Sequence, residues 1–256
     1  MSNNVEKISG TVISALELLN YFSLERQQIG LTEFVILSGK PKANVLRHLK
    51  ALEQTGFVKQ NKETKKYQLG FKVMELAYIA KNQFNLKTIA LPHMERLKDA
   101  TKETVCLQVI DGDSGICIER LEPNNNLVYL PPIGSREYLH GGASRKVLLA
   151  FLPDDRINEI ITKGLPKLAS NTVTETNNLF QDIKIIREKG YSITVSEHVE
   201  GVVAISAPIK KANGVVEASL SVVGPEFRIS EEKRDKYLEL LLKTVQDISN
   251  DFSYQL

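Results

Sequence analysis

Apolar positions recur at helical spacing through VISALELLNYF, residues 12–22, and predict a first helix. Gly30 then precedes LTEFVIL, a short second helix, and Ser38-Gly39 supplies a turn that a helix would avoid. Pro41 fits the first turn of a third helix, where its missing N–H costs nothing, and that helix runs to about Thr55 before Gly56 caps it. On this third helix Val45, Leu49 and Leu52, with Leu46 beside them, form one apolar stripe. Ala43, Asn44, Arg47 and Lys50 point the other way, and His48 sits at the margin. After Gly56, FVKQ and YQL alternate on either side of the polar stretch NKETKK, which predicts a β-hairpin. Three helices followed by a basic hairpin describe a winged helix-turn-helix over residues 1–70.

The next stretch, FKVMELAYIAKNQF, is apolar on most sides, as a helix with more than one partner surface would be. Residues 71–85 are therefore expected to form a linker helix that also builds a dimer seam, and a dimer suits two-fold DNA sites. Residues 86–256 mix helices and strands. LKTIALPHMERLKDATKE is expected to be helical around Pro92, and TVCLQVIDGDSGICIERLE to be a hairpin turning at Asp111-Gly112. GASRKVLLAFLP and residues 176–189 are expected as helices, the latter ending at Gly190. GVVAISAPIKKANGVVEASLSVVGP is a second hairpin turning at Asn213-Gly214, and an amphipathic helix follows Ser230. The fold class expected is α+β throughout, with antiparallel strands and interspersed helices in the second domain.

Composition changes this picture mainly through charge. A net +2 hides 12 Lys and Arg against 7 Asp and Glu in residues 1–85, and 21 against 24 in the rest. A basic head on a mildly acidic body suggests a polyanionic partner for the head. The outward face of the third helix adds small residues that admit close approach, together with Asn and Arg that can read base edges. The DNA-contacting set is therefore Lys42, Ala43, Asn44, Arg47, His48 and Lys50, with wing residues Lys62, Lys65 and Lys66 on phosphates. No apolar run reaches membrane thickness, MSNNVEKISG lacks a secretory layout, and only two cysteines occur, so a cytoplasmic protein without a membrane partner is expected.

Catalytic chemistry finds little support. HGGASRK has the look of an oxyanion loop, but no G-x-S-x-G supplies a nucleophile, and neither a P-loop nor G-x-G-x-x-G occurs. His48, His93, His140 and His198 are scattered without metal-ligand spacing. No enzyme activity, cofactor or metal is expected. Cys106 and Cys117 would face each other across the strands if Asp111-Gly112 were the two-residue turn, and so could form a redox-responsive pair.

The residues resemble the IclR-type transcriptional regulators over nearly the whole chain. LTEFVILSGKPKANVLRHLKALEQTGFV is similar to that family's helix-turn-helix, and KYQLGFKVMELA to its wing strand and linker helix. LHGGASRKVLLAFLP, REKGYSITVSEHVEGVVAISAPI and NGVVEASLSVVGP resemble segments of its ligand-binding domain. The resemblance implies a GAF-like second domain and a homodimer or homotetramer that binds operator DNA, as a repressor rather than an activator. It also implies control by a small-molecule effector such as a small organic acid. Carried over residue by residue, the effector positions become Ala143, Ser144, Thr194, Ala204, Ser221 and Val223, and His140 lies beside them. Thr194 stands where an acid is common, Ala204 where Cys is frequent and Val223 where a second serine occurs. Gly141-Gly142 and Lys40 also depart from the pattern. A regulator without a ligand, or one that responds to thiol oxidation, is the alternative.

Overall fold

A computed structural model describes residues 9–83, 85–124 and 129–253. The chain forms two compact units, Met1–Phe84 and Asn85–Leu256. The first begins with helix α1 (Gly10–Glu17), which tightens into a 3₁₀ turn, Leu18–Tyr21, where the sequence pattern predicts one continuous helix. Helices α2 (Leu31–Ser38) and α3 (Lys42–Gln54) follow, with strands β1 (Val58–Gln60) and β2 (Tyr67–Leu69) pairing antiparallel as the wing. Gly39 caps α2 at φ +62°, a left-handed geometry that favours glycine, and the chain turns there into α3. Phe34 is fully buried at the centre, with Tyr21, Phe22 and Tyr67 edge-on around it at 5.7–6.3 Å. Leu18, Ile29, Val45, Leu49 and Val58 complete this small core.

Helix α4 (Phe71–Gln83) closes the first unit and leaves several large apolar side chains of its first turns uncovered. Phe71 is 75% exposed, Met74 68%, Tyr78 69% and Ile79 54%. Phe84, which the sequence pattern adds to this helix, lies outside the described residues.

The second unit is α+β. Its antiparallel sheet contains β3 (Thr104–Asp111), β4 (Ser114–Leu121), β5 (Arg136–Tyr138), β6 (Ser192–Val195), β7 (Val202–Lys210) and β8 (Val216–Pro225). The order across the sheet is β5-β4-β3-β8-β7-β6. Helices α5 (Asn85–Thr101) and α9 (Glu231–Ser253) cover one face over a core that includes Met94, Leu107, Ile205, Leu220, Val222 and Leu241. On the other face lie α6 (Ala143–Ala150), α7 (Asp154–Thr162) and α8 (Thr176–Lys189), around Leu149, Ile157, Leu179 and Ile183. Gly190, at φ +77°, ends α8 where expected.

The β3–β4 hairpin differs from expectation. Asp111 pairs with Ser114, so the two-residue turn is Gly112-Asp113, with Gly112 at φ +61°. A bulge between Leu107 and Gln108 then shifts the register. Gln108 faces Cys117 and Cys106 faces Arg120, so the two cysteines are not directly opposed. The expected cross-strand pair is corrected to a diagonal one, with both thiols free and buried.

Candidate DNA-reading helix and effector cavity

Helix α3 is amphipathic in the sense the sequence implies. Val45, Leu49 and Leu52 are buried, whereas Lys42, Ala43, Asn44, Arg47 and Lys50 are exposed. Lys62, Lys65 and Lys66 are exposed on the wing. Among the described residues no ion pair engages any of these cations, so their charge is available to an outside anion. Two neighbours are committed elsewhere. Glu53, the acid of α3, accepts from the Gln60 amide of β1 at 3.0 Å, which ties the helix to the wing. Lys40 donates to Ser14 Oγ (2.9 Å) and Glu17 Oε2 (2.6 Å), which fastens α1 to the turn before α3 and accounts for a cation at that position. His48 stands apart from the outward set. It is 6% exposed, and burial, then Arg47 and Lys40, lower its pKa, so its ring packs inside as a neutral group.

In the second unit a narrow cavity of about 30 Å³ lies between the sheet and the start of α6, partly open to solvent. Ala143, Ser144, Thr194, Ala204 and Val223 line it, which brings together five positions that the family resemblance singles out. Two others point elsewhere. His140 Nε2 donates to Pro166 O at 2.9 Å, and the fully buried Ser221 donates weakly from Oγ to Cys106 O at 3.4 Å. Thr194 also has a local task, since its Oγ1 accepts the Ala143 N–H at 3.1 Å and fixes the entry of α6 to β6.

The rest of the lining comes from residues that sequence reasoning did not single out for this role: Gln108, Tyr129, Arg145 and His198, with Cys106, Pro131, Val199 and Val202. Arg145 is 4% exposed, yet among the described residues no carboxylate forms an ion pair with it. Its Nε donates to Gly141 O at 2.6 Å. Its stem occupies the place where a Gly115 Cβ would sit, 2.7 Å from Arg145 Cγ, so that glycine makes room for it. Burial pulls the guanidinium below its usual range, opposed by Tyr129 and Glu137. Burial also pushes the Tyr129 phenol up to about 12. It lowers His198 to about 4, assisted by Arg145 and His140, so that ring is neutral near pH 7. Within the cavity lining, Gln108 Oε1 and His198 Nδ1 have no hydrogen-bond partner among the described residues. The Cys106 thiol is held above its ordinary value, first by its hydrogen bond with Cys117 and then by full burial.

Behind the cavity, Lys146 Nζ donates to Asp182 Oδ2 (2.6 Å) and Glu197 Oε1 (2.7 Å) and ties α6 to α8 and to the loop after β6. Gly142, at φ +88° and ψ 158°, turns the chain into α6 in a conformation open mainly to glycine. A Cβ at Gly141 would lie 2.4 Å from Leu168 Cδ1. Gly142 of the unusual pair thus has a backbone cause, whereas at Gly141 a small movement of the Leu168 tip would make room.

A winged helix with an unneutralised cationic face, joined to an α+β domain with its own cavity, defines a DNA-binding transcriptional regulator. Residues 11–62 match the IclR helix-turn-helix domain and residues 79–250 the bacterial transcriptional regulator IclR C-terminal domain, so the chain belongs to the IclR family. It is 32% identical over 255 residues to the HTH-type transcriptional regulator KdgR of Escherichia coli, covering 98% of this chain and 97% of that one. It is 31% identical over 245 residues to the HTH-type transcriptional regulator KipR of Bacillus subtilis, covering 95% and 97%. Among solved structures, the Thermotoga maritima IclR superposes with a TM-score of 0.75 at 28% identity, covering 95% and 99%. An IclR homologue from Microbacterium hydrocarbonoxydans complexed with 4-hydroxybenzoate shares the fold, with a TM-score of 0.84 at 24% identity and coverage of 95% and 99%.

Proposed function

We propose that this protein is an effector-controlled repressor whose ligand, a small organic acid, occupies the cavity beside α6. The observation that carries this reading is the cavity itself, buried in the second unit and lined by polar atoms that the described protein leaves unsatisfied. Support also comes from a relative of the same fold that holds 4-hydroxybenzoate. Asn44 and Arg47 read base edges, and Lys42, Lys50 and the wing lysines hold phosphates. The uncovered apolar residues of α4 form a seam with a second copy, and half-sites then lie about one helical turn, roughly 34 Å, apart or a multiple of it. A ligand can shift operator affinity only by its unequal affinity for the DNA-competent and incompetent dimers.

The test is binding of the full-length protein to promoter DNA flanking its own gene, measured by fluorescence anisotropy across a salt series with and without organic acids. Selective binding that weakens steeply with salt and responds to an acid supports the reading. Binding equal on scrambled DNA refutes the regulator. Selective binding indifferent to every acid refutes the effector.

A further inference from the structure

Residues 40–66 carry eight Lys and Arg against two acids, and one of those acids, Glu53, sits on α3 itself, three positions past Lys50. An exposed acid there repels the same phosphates that its neighbours attract. Among the described residues it forms no ion pair that would account for its place. What it does form is the 3.0 Å bond in which its Oε1 accepts the Gln60 N–H.

The sheet register shows why that amide is open to it. Gln60 lies opposite Tyr67, and Tyr67 commits its own N–H and C=O to Ile29, on the other side of β2. Gln60 and Tyr67 are therefore a non-hydrogen-bonded pair, and the Gln60 N–H points away from β2, out of the far edge of β1. Glu53 meets it there. From Gln60 the bonding continues to the tip of the wing. Gln60 Nε2 donates to Lys65 O at 2.8 Å, the Lys65 N–H to Asn61 O at 3.0 Å, and the Asn61 N–H to Lys66 O at 2.8 Å. Asn61 Oδ1 accepts the amides of Glu63 and Thr64 at 2.9 and 3.0 Å. Lys65 is held at φ +58°, a left-handed geometry that Gly or Asn adopts more readily. The turn alone would be better served by either, and what the lysine adds is a cation.

We propose, on the assignment of the wing lysines to phosphates above, that Glu53 is a positioning residue for DNA binding. It fixes the wing against α3, so that Lys62, Lys65 and Lys66 meet phosphates while Asn44 and Arg47 meet bases. A wing already held in place loses less freedom on binding, and through that saving one bond at its edge reaches affinity. Simple electrostatics predicts the opposite sign, since removal of an acid beside the cations would strengthen binding.

Fluorescence anisotropy of the full-length protein tests this on the promoter duplex and on a scrambled duplex of equal length, over a salt series. Glu53→Ala is expected to weaken binding to both by about 3- to 10-fold, and to flatten the slope of log affinity against log salt by about 1. The promoter-to-scrambled ratio should hold, because base contacts are untouched. Glu53→Gln loses the same charge but keeps an acceptor for the Gln60 N–H, and should bind at least as tightly as the parent chain. Gln60→Ala leaves that bond in place and frees the Lys65 carbonyl. It should lose affinity and slope in the same direction, and it supplies the readout if Glu53→Ala does not fold, an unchanged Gln60→Ala then overturning the inference. Glu53→Ala binding as tightly as Glu53→Gln also overturns it, because charge then accounts for the whole effect. So does a Glu53→Ala that weakens binding with the salt slope intact. A chain with Lys62→Ala, Lys65→Ala and Lys66→Ala together separates the two readings. If its slope is unchanged, the wing-lysine assignment falls and this inference with it. If its slope drops while that of Glu53→Ala does not, only this inference falls.

Discussion

Replacing Lys146 by Met keeps the length of a buried side chain and removes its charge. Lys146 is 4% exposed at the side chain, Glu197 11% and Asp182 33%. In the variant Asp182 regains water, but Glu197 cannot. Its Oε1 loses its lysine, and its Oε2 has no partner among the described residues. Breaking a buried pair from one side costs about 3–5 kcal/mol, and solvation of Asp182 places this case near 3. The loss depends on pH with a definite sign. Burial already raises the Glu197 carboxyl in the native protein, against the pull of Lys146. A carboxyl raised on folding destabilises the fold once the unfolded chain would ionise, so its penalty grows as pH rises from the ordinary carboxylate value through the raised one and vanishes below the ordinary value. Without Lys146 the carboxyl rises further. The destabilisation should be largest near about pH 8 and shrink toward about pH 5, and Glu197→Gln in the same chain should restore most of it. Because the chain has two units, hydrogen exchange read on peptides from α6, α8 and β6 is the suitable assay. A loss below about 1 kcal/mol, or one equal at the two pH values, would refute the assignment of a buried, charge-compensated cluster.

Arg47→Ala should lower the preference for operator over scrambled DNA by about 1–3 kcal/mol, while alanine at Lys62, Lys65 or Lys66 weakens all sequences alike and reduces the salt slope by about 1. Anisotropy on both DNAs separates the two effects, and an unchanged preference in Arg47→Ala shows that another residue reads the bases. Gly142→Ala, at φ +88° beside Arg145 and His198, should cost about 1–3 kcal/mol in thermal unfolding, and a neutral result removes the backbone argument. His198, lowered to about 4 from 6.5, contributes stability that is present above pH 6.5 and lost as pH falls toward 4. Its ring protons should not titrate by nuclear magnetic resonance until near that value, and His198→Asn should flatten the acid side of the stability curve. A ring that titrates near its ordinary value places it outside a desolvated cavity.

The first unit was legible because its signals are local. Glycines at helix ends and a period of 3.6 set α2 and α3 to within a residue or two, and the lysine-rich turn announced the wing. Pro41 proved to be the residue before the helix rather than inside its first turn. In the second unit α8 and the β7–β8 hairpin were equally plain, ending or turning at Gly190 and Gly214. Helix α7 was missed although Pro153 followed by Asp154 and Asp155 is a start signal, and β5 and β6, at 3 and 4 residues, are too short for alternation to register. The cavity was less legible for a different reason. Arg145 resembles any helical cation until Gly115 is seen opposite its stem, and that opposition is set by strand pairing. The cysteine register failed first on the turn, which lies one residue later than expected and by itself sets Gln108 opposite Cys117, and the bulge then carried Cys106 on to Arg120.

The cavity wall draws on β3, the segment after β4, the start of α6, the end of β6 with its following loop, β7 and β8, so no smaller part of the domain contains it. It closes only when all of those pieces have docked, and any occupant is lost as soon as one of them opens. A molecule present at a hundred times its Kd therefore stabilises the whole domain by about 2.7 kcal/mol and cuts its open fraction about a hundredfold. Proteases act on open forms, so a cell rich in such a molecule would keep each copy longer. Occupancy would then set the lifetime of the protein as well as its fold stability.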